Sequence, residues 1–236
     1  MLRMRRCVLL AALLVLTLSA AARADAQGPA RARGVRYLYL VRHGMYDRVE
    51  DVDDRVGNGL DALGRDQARL VAARFAALPV RIATLVCSDL TRARETADAI
   101  GRALDLVPVP DSLLRECTPT AGRAESMGRQ ADEDAKQCAV QLEAAWKKYV
   151  RPAPDADVRD VLVCHGNVIR WFVARALGLD PGGWARMDIG NASVTVIAVA
   201  ADGTARLAAF SDVGHLPPAL QTWTGRGAGW SAPPGR

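Results

Sequence analysis

Apolar and polar positions fall in blocks along this chain, each about the length of one secondary-structure element. Val35 to Val41 is a short apolar run with β-branched and aromatic residues, punctuated by Gly44, and it predicts a buried strand. Residues 46–59 are rich in Asp, Arg, Gly and Asn and predict a loop. From Asp61 to Leu78, apolar residues recur at Leu63, Ala68, Leu70, Val71, Phe75 and Leu78 before Pro79 stops the pattern, as in an amphipathic helix. The alternation then repeats: a strand over Ile82 to Cys87, a helix from about Asp89 to Leu104 capped near Ser88, and a strand ending at Pro108.

Residues 110–131 hold Pro, Gly, Asp and Ser without a period and read as an irregular insertion. A helix over Asp132 to Tyr149 follows, then a Pro152-Ala153-Pro154 loop, a strand over Val158 to Cys164, and a helix over Asn167 to Leu177 that closes at Gly178. Strands at Ser193 to Ala200 and Arg206 to Phe210, joined through Asp202-Gly203, predict a terminal hairpin. Strand and helix alternating over this length predict an α/β fold with a mostly parallel sheet covered by helices, in one domain over residues 35–215. Residues 222–236, rich in Gly and Pro, predict a flexible tail.

Composition narrows the class. With 236 residues, 50% hydrophobic and 24% charged, the chain is globular, which excludes a disordered, collagenous or disulfide-miniprotein description. The net charge of +5 invites nucleic acid, but much of it sits at the start. Arg3, Arg5 and Arg6 precede an uncharged run from Cys7 to Ala22, followed by Ala22-Arg23-Ala24 and Ala24-Asp25-Ala26. That is the pattern of a cleavable signal peptide over residues 1–26, and the run is short for a membrane span. The expectation is a secreted or periplasmic protein with no stable membrane insertion after cleavage. Cleavage after Ala26 leaves +2 and cleavage after Ala24 leaves +1, so no electrostatic case for a nucleic-acid partner remains. Of the four later cysteines, Cys87 and Cys164 each close a strand and predict buried thiols. Cys117 and Cys138 flank the insertion, and pairing or two free thiols both stay open.

Ligands of such sheets gather at the carboxyl ends of the strands. Three residue sets fall there: Arg42-His43-Gly44, Ser88 to Arg92, and His165-Gly166-Asn167. Two arginines and two histidines thus share one edge, and nearby helix starts add free N–H groups. Guanidinium forks match phosphate oxygens, and an unprotonated imidazole nitrogen can attack phosphorus, so the edge predicts an anion pocket with a nucleophile. Gly57-Asn58-Gly59-Leu60-Asp61-Ala62 matches a dinucleotide-binding pattern by letter only, since a polar loop precedes it. Asn191-Ala192-Ser193 is a glycosylation sequon by letter and carries no assigned function.

Taken in order, Arg42-His43-Gly44, Leu60 to Ala68, Ser88-Asp89-Leu90-Thr91-Arg92-Ala93-Arg94-Glu95-Thr96-Ala97 and His165-Gly166 resemble the histidine phosphatase superfamily, also called the phosphoglycerate mutase-like fold. Leu113-Leu114-Arg115-Glu116, the run from Val163 to Leu177, and Asp212 to Pro218 are similar to its Ser/Thr-protein phosphatase branch. The resemblance implies a three-layer α/β/α sandwich and a phosphoric monoester hydrolase. It implies His43 as a nucleophile that becomes phosphohistidine, Arg42, Arg92 and His165 as holders of the phosphoryl oxygens, and Glu116 as proton donor. Asp111, Glu125, Asp132 and Glu133 are competing acids for the last role. His215 reads as a structural histidine. A phosphoglycerate mutase-type transferase and a non-catalytic phosphate-ester binding module are the alternatives. The substrate is expected to be a phosphorylated small molecule or a phosphoprotein. No metal or nucleotide motif is present, so the expected chemistry uses no cofactor.

Overall fold

The computed structural model describes residues 34–47, 49, 51–53, 56–120, 129–180 and 182–223, with the side chains of residues 129–132 excepted. The expected signal peptide and residues 224–236 of the expected tail lie outside the described residues. Six strands form one sheet: β1 Arg36–Arg42, β2 Thr84–Cys87, β3 Val109–Pro110, β4 Val158–Cys164, β5 Val194–Val199 and β6 Ala205–Asp212. Among the described residues four α-helices are interspersed: α1 Ala62–Ala76, α2 Thr91–Leu104, α3 Arg129–Tyr149 and α4 Gly166–Ala176. The strand order is β3-β2-β4-β1-β5-β6. The first four run parallel, and β5 and β6 return antiparallel as the expected hairpin, with Gly203 at φ +88° in its turn.

Alternation along the central strands sorts the core into two halves. Val41, Val161 and Val163 meet Val71, Phe75, Ala93, Ala97 and Ile100 from α1 and α2. Leu38, Leu40, Leu162 and Cys164 meet Cys138, Leu142, Val168, Ile169 and Phe172 from α3 and α4. Successive residues of a strand point to opposite faces, so a near-continuous apolar run buries both faces and requires a helix layer on each. The result is the expected α/β/α sandwich.

Local chemistry fixes most boundaries. Asp61 caps α1, its Oδ1 accepting from the Gly64 N–H at 2.6 Å. Two expectations need correction. Ser88 does not cap α2: Leu90 occupies that position without a side-chain cap, and Ser88 bonds elsewhere. The strand expected to end at Pro108 instead pairs just beyond it, Val86 with Val109 and Cys87 with Pro110. The insertion is also less irregular than its composition suggests, since Ser112–Leu114 makes a 3₁₀ turn capped by Asp111 and α3 begins at Arg129. Cys117 and Cys138 form a disulfide, and Cys87 and Cys164 are buried free thiols.

Candidate active site

The register of the central strands assembles the site. In the parallel pair β1 and β4, Arg42 lies opposite Cys164, so the next residues, His43 and His165, emerge side by side. The His43 N–H donates to the Cys164 carbonyl at 3.0 Å, and the two ring centroids are 5.1 Å apart. β2 flanks β4 on its other side and ends one residue before Ser88, whose N–H donates to the Val163 carbonyl. Strand order therefore sets Ser88, His165 and His43 in a row.

Each imidazole is held by a particular partner. His43 Nδ1 is 2.7 Å from the Gly44 carbonyl, so that nitrogen carries the proton and donates. Nε2 is left with its lone pair, which accepts from Arg92 Nε at 3.2 Å. His165 Nε2 lies 2.8 Å from Ser88 Oγ, which itself accepts from the Leu90 N–H at 3.3 Å. A Ser88 hydroxyl donating to Nε2 leaves the His165 proton on Nδ1, a buried atom with no hydrogen-bond partner among the described residues. Both histidines are held neutral, their pKa values well below the ordinary 6.5. Burial is the main cause; His165, Arg42 and Arg92 reinforce it for His43, and Arg92 and Arg42 for His165.

Arg42 is buried, with Nη1 donating to the Ile189 carbonyl at 2.6 Å. Desolvation, together with Arg170 and Arg92, brings its pKa down to about 10 against the opposing pull of Glu116 and Tyr46. Arg92 reaches the site from the first turn of α2 and stacks 4.8 Å from the Tyr46 ring centroid. Glu116 arrives from the insertion, and its Oε1 accepts from the Asn167 N–H in the first turn of α4 at 3.2 Å. Burial raises its pKa above the ordinary 4.5, in spite of Arg42, Arg92, Arg170 and that N–H, which pull it down. All five residues expected at the site thus meet around one cluster. The competing acids do not join it where they are described. Asp111 bonds Lys148 and Tyr149, and Glu133 is paired with Lys136. Glu125 and the Asp132 side chain lie outside the described residues. His215 sits with Arg74, 3.2 Å from its Nη1.

Sequence reasoning missed two residues of the cluster. Arg170 is a third buried guanidinium, bonded to the Gly166 and Met187 carbonyls and to Asn167 Oδ1, with its plane 5.1 Å from the Trp184 ring centroid. Its signal was an arginine four residues after Gly166 on the buried side of α4. Asn191, the sequon asparagine, is fully buried and donates from Nδ2 to the His43 carbonyl at 3.3 Å.

A family model described as the histidine phosphatase superfamily (branch 1) matches residues 38–212. The mitochondrial serine/threonine-protein phosphatase Pgam5 of Caenorhabditis briggsae is 35% identical over 194 residues, 80% of this chain and 67% of that protein. The human mitochondrial PGAM5 is 34% identical over 198 residues, covering 80% and 66%. This chain therefore spans about two thirds of the length of these curated relatives. Among solved structures, a phosphoglycerate mutase from Plasmodium falciparum superposes with TM-score 0.54 at 25% identity, covering 78% of this chain and 95% of that one. A mycobacterial glucosyl-3-phosphoglycerate phosphatase shares the fold with TM-score 0.55 at 24% identity, covering 75% and 99%. The relatives' names correct the expectation of a secreted or periplasmic protein, because they point to mitochondria.

Proposed function

The chain belongs to the histidine phosphatase superfamily and is a phosphatase, and from that premise we propose that it hydrolyses phosphate monoesters through a phosphohistidine formed on His43. The observation that carries this reading is the hold on the His43 ring: Nδ1 donates to Gly44, burial keeps the imidazole neutral, and the Nε2 lone pair faces the Arg92 guanidinium. A binding pocket needs cations but no basic nitrogen prepared in this way.

The steps follow from charge and proton balance. As Arg92 turns its guanidinium from Nε2 to the phosphoryl oxygens, the freed Nε2 lone pair attacks phosphorus while the ester P–O bond breaks. Arg42, Arg92 and the Nδ1–H of His165 hold the three peripheral oxygens, where charge builds. Glu116, whose pKa burial raises above the ordinary 4.5, gives a proton to the departing oxygen. The resulting carboxylate takes a proton from water, which attacks phosphorus and breaks the P–N bond. Inorganic phosphate leaves and both side chains return to their starting states.

A proton donor matters most for a poor leaving group, so we assign alkyl phosphates, the class that includes phosphoserine and phosphothreonine, as substrates. The relatives' names agree with that class. Rapid-quench labelling with a radiolabelled aryl phosphate tests the mechanism. Acid-labile label is expected on the protein and none on His43→Ala. Steady phosphate release that survives His43→Ala without any label would overturn it.

A further inference from the structure

We propose that the Cys117–Cys138 disulfide is a positioning element for the proton donor, a proposal that rests on the assignment of that role to Glu116. Cys117 directly follows Glu116 in sequence, and its sulfur is bonded to Cys138, which is buried on α3. The same helix grips the chain on the other side of Glu116. Gln141 Nε2 donates to the Leu113 carbonyl at 3.2 Å and to the Arg115 carbonyl at 2.8 Å. Cys138 and Gln141 are three residues apart, so they share one face of α3. α3 therefore acts as a splint, fastening the insertion just before the glutamate by hydrogen bonds and just after it by a covalent bond.

The remaining ties are lighter. Arg115 pairs with Asp89 at 2.6 Å, but both side chains are partly exposed. Asn167 Nδ2 donates to the Cys117 carbonyl at 3.0 Å, and its N–H meets the Glu116 carboxyl itself. Both Asn167 bonds depend on the insertion staying against the start of α4. Irregular backbone at a sheet edge has few repeating bonds to hold it, while general acid catalysis requires the carboxyl within hydrogen-bond reach of the leaving oxygen. A covalent tie one residue away limits how far Glu116 can drift.

The disulfide does not touch His43, His165, Arg42 or Arg92 in any contact described above, so its loss should act on proton donation and not on phosphoryl binding or attack. Dithiothreitol supplies the test. Its thiolate attacks the bridge, the S–S bond breaks, the reductant closes to its own cyclic disulfide, and Cys117 and Cys138 each take up a proton. Values of kcat/KM are measured for an alkyl and an aryl phosphate, because this constant reports the steps through P–O cleavage. Reduction is expected to lower the alkyl value by about tenfold, as small misplacement of a catalytic group does, and to leave the aryl value within about twofold. The Cys117→Ala/Cys138→Ala variant should show the same pattern and no response to the reductant.

Glu116→Gln serves as the reference. If it lowers the alkyl value selectively while loss of the bridge leaves the alkyl-to-aryl ratio unchanged, the positioning proposal is overturned and the donor assignment stands. If Glu116→Gln itself shows no selectivity, the donor assignment fails first. An equal fall for both substrates on losing the bridge means the disulfide serves general stability, which also overturns the proposal.

Discussion

The nucleophile and the proton donor of the proposed cycle are both poised by burial, in opposite directions. Burying a neutral base disfavours its cation, and burying an acid disfavours its anion, so the same cluster lowers the His43 pKa and raises that of Glu116. Three arginines offset the burial of Glu116 only in part, although attraction to cations usually lowers a carboxyl pKa. The pH dependence follows with a definite sign. For an alkyl phosphate, kcat/KM requires neutral His43 and protonated Glu116. Activity should fall at acid pH only far below 6.5, and should fall again as pH rises through the elevated Glu116 value. Glu116→Gln is expected to slow alkyl phosphate turnover by about 10²–10⁴, to affect aryl phosphates less, and to remove the alkaline limb. A pH series on both proteins with both substrates checks this, and an alkaline limb that persists in the variant would assign it to another group. Arg170 belongs to this balance too, and its only signal in the sequence, four residues after Gly166, is weak at the residue scale. An arginine inside an amphipathic helix reads as surface until the neighbouring carbonyls of Gly166 and Met187 are known to receive it.

At the scale of elements, legibility followed how locally each boundary is determined. β4 was read to the residue, because the apolar run Val161 to Cys164 ends sharply at His165 and the Pro152-Ala153-Pro154 loop bounds the strand on its other side. The start of α1 was equally plain, since Asp61 caps it through its own side chain. β3 and the start of α2 were displaced because tertiary bonds set them: β3 exists through two residues paired with β2, and Ser88, a good cap by type, is drawn to His165 instead. The Cys117 pairing was undecidable for the same reason, as spacing alone leaves open which side of α3 faces the insertion. One interelement contact was present in the sequence as a glycine without an evident purpose. A Cβ on Gly64, at the start of α1, would lie 1.9 Å from the Met45 carbonyl oxygen, and one on Gly44 would lie 2.5 Å from the Gly64 oxygen. Helix backbone and loop backbone therefore touch directly beside His43. Gly64→Ala must push the 43–46 loop away, at an expected cost of about 1–3 kcal/mol in stability. The displaced nucleophile should reduce kcat/KM by about ten- to a hundredfold. Urea titration and kinetics on the variant give both numbers. Wild-type values for each would mean the loop can give way without carrying His43 along.

At the scale of the whole fold, residues 220–222 are tied through the site to the loop that follows β1. Gln67, fully buried on α1, accepts from the Met45 N–H at 2.8 Å and donates to the Leu220 carbonyl and to Thr222 Oγ1. Thr222 in turn donates to Asn191, which holds the His43 carbonyl. With catalytic groups fixed inside such a network, their ionisation becomes a property of folding as well as of chemistry. All three histidines titrate below their ordinary value in the folded protein, His215 at about 4 through burial and the nearby Arg74. The unfolded chain therefore binds protons below about pH 6.5 that the folded chain refuses, and stability falls as pH drops through that window. Glu116 works in the opposite sense, because its folded pKa lies above 4.5 and the folded state keeps a proton that the unfolded chain releases. Three imidazoles set against one carboxyl predict that unfolding at about pH 5.5 takes up about two to three protons per molecule. The slope of unfolding free energy against pH, from urea titrations on either side of that value, measures the number directly. His215→Gln should lower it by about one without altering the alkyl-to-aryl activity ratio. A slope near zero would mean the imidazoles are already protonated in the folded state, leaving His43 no lone pair with which to attack phosphorus.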